Sequence, residues 1–303
     1  NGPEWYFSPE FGAIVVECAD DTGKGDVFTN GYAAVEEIGV TINEPCIVAD
    51  GECLDIDECC TIWEKPLQSV FPQSAPQTET CGPIQLHTIS STARPAVKIA
   101  SPRVLITVFP GTNCEYDSAR AFERAGAIAD IFVMKNRSAS DIEESIERFV
   151  RKIRNSQIIM IPGGFSAGDE PDGSGKFISA FFRNPHITDA VHELLFKRDG
   201  LMLGICNGFQ ALIKLGLVPW GEIRPLDPQA PTLTFNTIGR HISRVAYTRI
   251  CSVKSPWFTG VSAGDIHAIP ISHGEGRFVA PPEVLQSLVA NGQVVTQYVN
   301  HDG

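Results

Sequence analysis

Cys206 stands in the run Gly204-Ile205-Cys206-Asn207-Gly208-Phe209-Gln210, between an apolar stretch and a segment of helical character. Glycines two residues to either side of a thiol suit a sharp strand-to-helix turn, where neighbouring backbone passes too close for side chains. Such a turn projects the sulfur at the C-terminal edge of a sheet, where open α/β sheets bind ligands. The N-terminus of the following helix favours the thiolate. The chemistry on offer is attack on a carbonyl carbon through a covalent intermediate. The same spacing fits an inert cysteine that closes a core strand.

Ile161-Pro162-Gly163-Gly164-Phe165-Ser166-Ala167-Gly168-Asp169 follows another apolar run. The Gly163-Gly164 pair can present bare N–H groups to a developing oxyanion, although a plain tight turn uses two glycines as readily. A phosphate loop fails there, because Glu170 sits where the first glycine belongs and Phe177 replaces Ser/Thr. His273-Gly274-Glu275 offers a base and a carboxylate, and two plainer readings stand beside it: a loop histidine, and a carboxylate paired with Arg277. Cys114 lacks flanking glycines and reads as a loop or helix-cap residue. Asp169, Glu170 and Asp172 form an acidic loop that suits a cation or plain solvent. His241 and His267 lack ligand spacing and read as structural, while Phe177, Phe181 and Phe182 fall at helical spacing and read as core.

The elements that position these residues alternate from Arg103 onward. Val104–Phe109 is a continuous apolar run, as expected of a strand buried on both faces, and a turn at Pro110-Gly111-Thr112-Asn113 leads into a helix to about Ala125. Strands are expected at 128–134, 158–161 and 201–205. Helices are expected from a Ser140/Glu143 capping box to Arg154 and over 187–197. Alternation of this kind predicts an α/β fold with a parallel sheet and helices on both faces. Beyond Trp220 the pattern turns β-rich, with strands expected at 233–235, 243–247, 266–271 and 294–299.

Upstream, residues 1–71 mix strand-like runs, such as Gly12–Cys18, with one helix expected from Asp55 to about Val70. Residues 72–100 are rich in Pro, Ser, Thr and Gln and read as a linker or a surface-draped connector, and 101–303 as the α/β domain. A net charge of −12 argues against binding a nucleic-acid backbone. No apolar run is long enough for a membrane span. Nine cysteines without CxxC pairing, and no visible secretory signal, point to reduced thiols in a cytoplasm. No metal site is read in the chain.

Four segments occur in order: Pro110-Gly111-Thr112-Asn113-Cys114-Glu115, Pro162 to Asp169, Gly204 to Gln210, and His273-Gly274-Glu275-Gly276-Arg277-Phe278. As a set they closely resemble the glutaminase domain of the phosphoribosylformylglycinamidine synthase family of purine biosynthesis. Trp63-Glu64-Lys65-Pro66-Leu67 is similar to the tail of that family's synthetase half. The resemblance implies a flavodoxin-like class I glutamine amidotransferase domain, C-terminally incomplete, behind an α+β remnant of the synthetase half. It implies Cys206 as the nucleophile that forms a γ-glutamyl thioester from glutamine and releases ammonia. Gly163, Gly164 and Asn207 would form the oxyanion and substrate cradle, with Gln210 seating the glutamine. The synthetase half would accept the ammonia, converting formylglycinamide ribonucleotide to the amidine with ATP and magnesium bound outside this chain.

Members of that family carry the triad His and Glu in a late His-x-Glu motif, and none follows His301-Asp302-Gly303. His273 and Glu275 share the spacing but belong to a separate upstream motif, near the active-site mouth or the synthetase interface. With no initiator Met either, the expectation is a C-terminal piece of a larger polypeptide, inactive alone. Two alternatives remain open: a cysteine hydrolase on a related flavodoxin-like sheet, and a non-catalytic docking fragment.

Overall fold

Val104, Leu105, Ile106 and Thr107 are fully buried in strand β3 (Arg103–Val108), because helices cover both faces of the sheet it lies in. The computed structural model describes residues 12–17, 37–72, 82–89, 99–166, 175–225 and 227–303. The chain divides into two units, Asn1–Ala75 and Pro76–Gly303.

In the first unit, β1 (Cys46–Ala49) and β2 (Glu52–Asp55) form a hairpin around Asp50-Gly51. Both turn residues have positive φ, 51° and 82°, the backbone a two-residue hairpin turn demands. The Asp55 side chain accepts a hydrogen bond from the Glu58 N–H at 2.9 Å and starts α1 (Ile56–Glu64). The helix is shorter than the sequence suggests. Pro66 has no N–H to continue the ladder, and the chain tightens into a 3-10 turn over Lys65–Leu67. The Gly12–Cys18 run is described from 12 to 17 and is not a strand there.

The second unit carries the parallel sheet, ordered β4 (Ile128–Val133), β3, β5 (Ile158–Ile161), β6 (Leu201–Gly204). The second strand in the chain lies outside the first, with the third and fourth on the other side. This is the flavodoxin-like order, whose switch point opens at the C-terminal ends of β3 and β5. Period-two alternation divides the side chains. Leu105, Ile159 and Ile161 pack with α3 (Ala139–Arg154), α4 (Lys176–Phe182), α5 (Pro185–His192) and α6 (Asn207–Leu215). Val104, Ile106 and Met160 meet Ala119 and Phe122 of α2 (Glu115–Arg124) on the other face. Phe181 and Phe182 join Phe109 and Phe149 in the larger core, and Phe177 packs against it. Each such side chain contributes roughly 1.5–3 kcal/mol by leaving water.

The cap of α3 is Ser138 rather than Ser140: its extended backbone (φ −146°, ψ 164°) lets Oγ accept from the Asp141 N–H at 3.1 Å. Ser140 already lies in the first turn, its hydroxyl 2.9 Å from that of Ser138. After α5 the chain continues as one π turn over Glu193–Lys197. A short helix, α7 (Leu217–Trp220), follows α6.

In the β-rich part, β8 (Ile242–Ile250) lies between β9 (Ile266–His273) and β11 (Thr296–Val299), all antiparallel. A separate ribbon pairs β7 (Thr232–Thr234) with β10 (Arg277–Val279) and lies against α6. β10 and α8 (Pro282–Ala290) are elements that the sequence pattern did not suggest. Residues 82–89 drape over this part: the His87 N–H donates to the Cys251 carbonyl and its carbonyl accepts from Val253 N–H, at 2.8 and 3.2 Å. Among the described residues no helix is long and apolar enough to cross a membrane.

Candidate active site

Close packing of backbone fixes the turn at Cys206. A Cβ on Gly208 would collide with the Ile161 carbonyl oxygen, and one on Gly204 would lie 2.6 Å from the Gly208 oxygen. Only glycine lets the start of α6 sit this near the ends of β5 and β6. Cys206 itself has φ 54° and ψ −114°, a conformation rare for a residue with a side chain. Its neighbours Asn207 and Gly208 are buried while Cys206 is exposed. The strain is spent on aiming one sulfur outward.

Opposite lies the turn after β5. A Cβ placed on Gly163 would be 3.1 Å from Cys206 Cβ and 3.6 Å from its Sγ, so the thiol rests against bare backbone. Gly164 has φ 130°, and a Cβ there would strike the Gly111 carbonyl. The turns after β3 and β5 are bonded to one another. The Asn113 N–H donates to the Gly163 carbonyl and the Phe165 N–H to the Gly111 carbonyl, both at 2.8 Å. These bonds leave the Gly164 N–H outside the ladder. Asn207 opens α6, so its N–H has no helical acceptor either. These two N–H groups, one in the diglycine turn and one next to Cys206 in the chain, are the candidate donors for an oxyanion.

A run of side-chain amides extends from this turn. The Asn207 Oδ1 accepts from the Ser166 N–H at 3.3 Å, and its Nδ2 donates to Gln210 Oε1 at 3.2 Å. Gln210 Nε2 then donates to Glu275 Oε2 at 3.2 Å. Glu275 is thus brought to the helix that carries Cys206, and among the described residues it has no ion pair with Arg277.

His273 is placed differently. Its Nδ1 lies 2.9 Å from Asn236 Oδ1, and no hydrogen bond joins it to Cys206 among the described residues. Burial holds its imidazole below the ordinary value, with His241 adding a smaller push in the same direction. Cys114 sits in left-handed backbone at the start of α2, exposed. Burial raises its thiol first, and the Asp117 carboxylate adds to that. Asn236 was not singled out from the sequence. Nothing in Phe235-Asn236-Thr237 marks it, since the segment it holds lies 37 and more residues away. Asp169, Glu170 and Asp172 lie outside the described residues.

An open α/β sheet with a strained, exposed cysteine just beyond the C-terminal end of β6, and a diglycine turn facing the sulfur, has the architecture of a thiol-dependent acyl-transfer domain. The chain belongs to the CobB/CobQ-like glutamine amidotransferase domain family, which matches residues 101–303. It is similar to the phosphoribosylformylglycinamidine synthase subunit PurQ of Salinibacter ruber, with 32% identity over 67% of this chain and 74% of that one. The same subunit of Methanococcus maripaludis is 32% identical, over 67% of this chain and 68% of the relative. A solved structure titled "Structure of PurLQS from Thermotoga maritima" aligns with 27% identity and a TM-score of 0.47, over 66% of this chain and 76% of that one.

Proposed function

We propose that this chain supplies ammonia by hydrolysing glutamine at Cys206, as the glutaminase component of a phosphoribosylformylglycinamidine synthase. The observation that carries the reading is the exposed, strained Cys206 resting against the Gly163-Gly164 turn, in a chain similar to PurQ subunits. The thiolate attacks the side-chain amide carbon. The tetrahedral oxyanion receives the N–H groups of Gly164 and Asn207, a contribution on the order of 10²–10³ in rate per donor. The proton released when Cys206 ionised passes through solvent to the amide nitrogen, the C–N bond breaks and ammonia leaves. Water then cleaves the C–S bond of the γ-glutamyl thioester, releasing glutamate and returning the thiol.

Gln210 seats the glutamine, steadied by Asn207 and Glu275. His273 and Glu275 stand at the mouth of the site. Their bonds to Asn236 and Gln210 favour holding that seat over taking the Cys206 proton. The partner is a synthetase portion that consumes the ammonia, in a cytoplasmic setting. That portion carries the ATP- and magnesium-dependent conversion of formylglycinamide ribonucleotide to the amidine. Among the described residues no cluster of three or more His, Cys, Asp and Glu could hold a metal ion.

Glutamate release is measured for this chain with and without the synthetase portion and its acceptor nucleotide. The reading expects release that rises on assembly and is abolished by Cys206→Ala. Equal release by the C206A chain overturns it.

A further inference from the structure

Asn236 is buried, and its backbone N–H and both polar atoms of its side chain are engaged with the segment 273–276 or with Arg240. Its backbone N–H donates to the Gly274 carbonyl at 2.8 Å. Its Nδ2 donates twice, to the carbonyls of His273 at 2.7 Å and Arg240 at 3.0 Å. Both amide protons are therefore spent on acceptors, and the atom facing His273 Nδ1 at 2.9 Å must be the carbonyl oxygen. The Gly276 N–H lies 3.5 Å from the same oxygen.

This assignment fixes the histidine. An oxygen acceptor requires Nδ1 to carry the proton, so neutral His273 is the Nδ1–H tautomer. Gly276 seals the ring from the other side, because a Cβ there would overlap the imidazole. Topology explains the need for such a clamp. At residues 274–276 the chain leaves one sheet, at the end of β9, and enters the other, at β10. No ladder holds the crossing residues in place. Asn236 sits just beyond β7, the strand that pairs β10, and substitutes side-chain bonds for the missing ladder. The crossing it holds carries Glu275, whose carboxylate reaches Gln210 beside Cys206.

We propose that Asn236 is a positioning residue for the glutaminase reaction: by clamping His273–Gly276 it sets Glu275 against Gln210 and so shapes the glutamine seat. The proposal rests on the reading of Cys206 and Gln210 given above. Asn236 touches no reacting atom and acts through the loop.

Two alkylation rates at Cys206, read by mass spectrometry on the chain assembled with its synthetase portion, test it. The first uses a diazoketone analogue of glutamine, which must be seated before it reacts; the second uses iodoacetamide, which need not be. Asn236→Ala is expected to lower the ratio of the first rate to the second about tenfold, the scale of one or two hydrogen bonds. Glu275→Ala should lower it similarly, and Glu275→Gln, which keeps an acceptor oxygen, should restore most of it. The double variant N236A/E275A should be no worse than the poorer single variant, since both break one arrangement. Additive losses overturn the proposal, as does an unchanged ratio in N236A. A fall of both rates together with the melting temperature makes Asn236 merely structural and also overturns it. If N236A does not fold, the E275A and E275Q ratios decide, and equal losses in both sink the clamp's purpose. Absence of analogue labelling at Cys206 in the unaltered chain is the separate result that removes the underlying reading.

Discussion

Gly208→Ala sets two general rules against each other at one atom. Gly208 is in the first turn of α6, where alanine is the better helix former by about 0.5–1 kcal/mol. On propensity alone the change stabilises. The structure gives the opposite sign, because the added methyl would run into the Ile161 carbonyl oxygen and lie 2.7 Å from its carbon. That obstacle is backbone in the middle of the sheet, so it cannot rotate away as a side-chain tip would. Overpacking of this kind costs roughly 1–3 kcal/mol, and rigid backbone places it at the upper end. After the helix gain is subtracted, a net loss of about 2 kcal/mol remains, which lowers the melting temperature by about 4–8 °C in a unit of this size. Relief comes only by lifting α6 away from β5, which draws Cys206 off the Gly163-Gly164 turn. Calorimetry and the alkylation rate at Cys206 should therefore fall together. A variant that melts higher than the parent, with unchanged alkylation, refutes the claim that this glycine serves a close backbone approach.

Three further outcomes are expected. Arg183 donates to the carbonyls of Arg224 at 3.0 Å and Lys214 at 2.7 Å, so Arg183→Ala should cost about 2 kcal/mol in chemical denaturation, and a loss below a few tenths contradicts the tie. His273 should titrate below its ordinary 6.5, because burial and His241 disfavour its charged form. The unfolded chain then takes up this proton first as the pH falls, so stability from this group is whole above pH 6.5 and declines below it. A ring-proton midpoint at or above 6.5 by NMR contradicts the environment described. Cys114, with its thiol raised by burial and by Asp117, should be alkylated by iodoacetamide more slowly than Cys206 at neutral pH, and the reverse order in peptide mapping contradicts the assignment.

The sequence announced those features whose causes are local. Gly204 and Gly208 flank Cys206 because the turn itself excludes side chains, and that constraint is written within five residues. The unbroken apolar run of β3 reports burial on both faces for the same reason. Other features depend on segments meeting in space. Ser140 and Glu143 made a plausible cap, yet the extended backbone of Ser138 decided where α3 begins. Asn236 carries no local mark, and its role exists only because His273, 37 residues on, leads into β10, which pairs back onto β7. Glu275 has the spacing of a triad carboxylate, but its hydrogen bond to Gln210 could be seen only in the fold. Distances between motifs on one strand or turn can be read from a sequence. Distances between a motif and a loop from another sheet are set by topology.

The account depends above all on one sulfur attacking the side-chain amide carbon of glutamine. The chain, assembled with its synthetase portion, is exposed to a glutamine-analogue electrophile with and without excess glutamine, then digested and sequenced by mass spectrometry. A single adduct on Cys206, suppressed by glutamine, is the predicted result. An adduct on Cys114 or another thiol, or labelling of Cys206 that glutamine does not suppress, contradicts it.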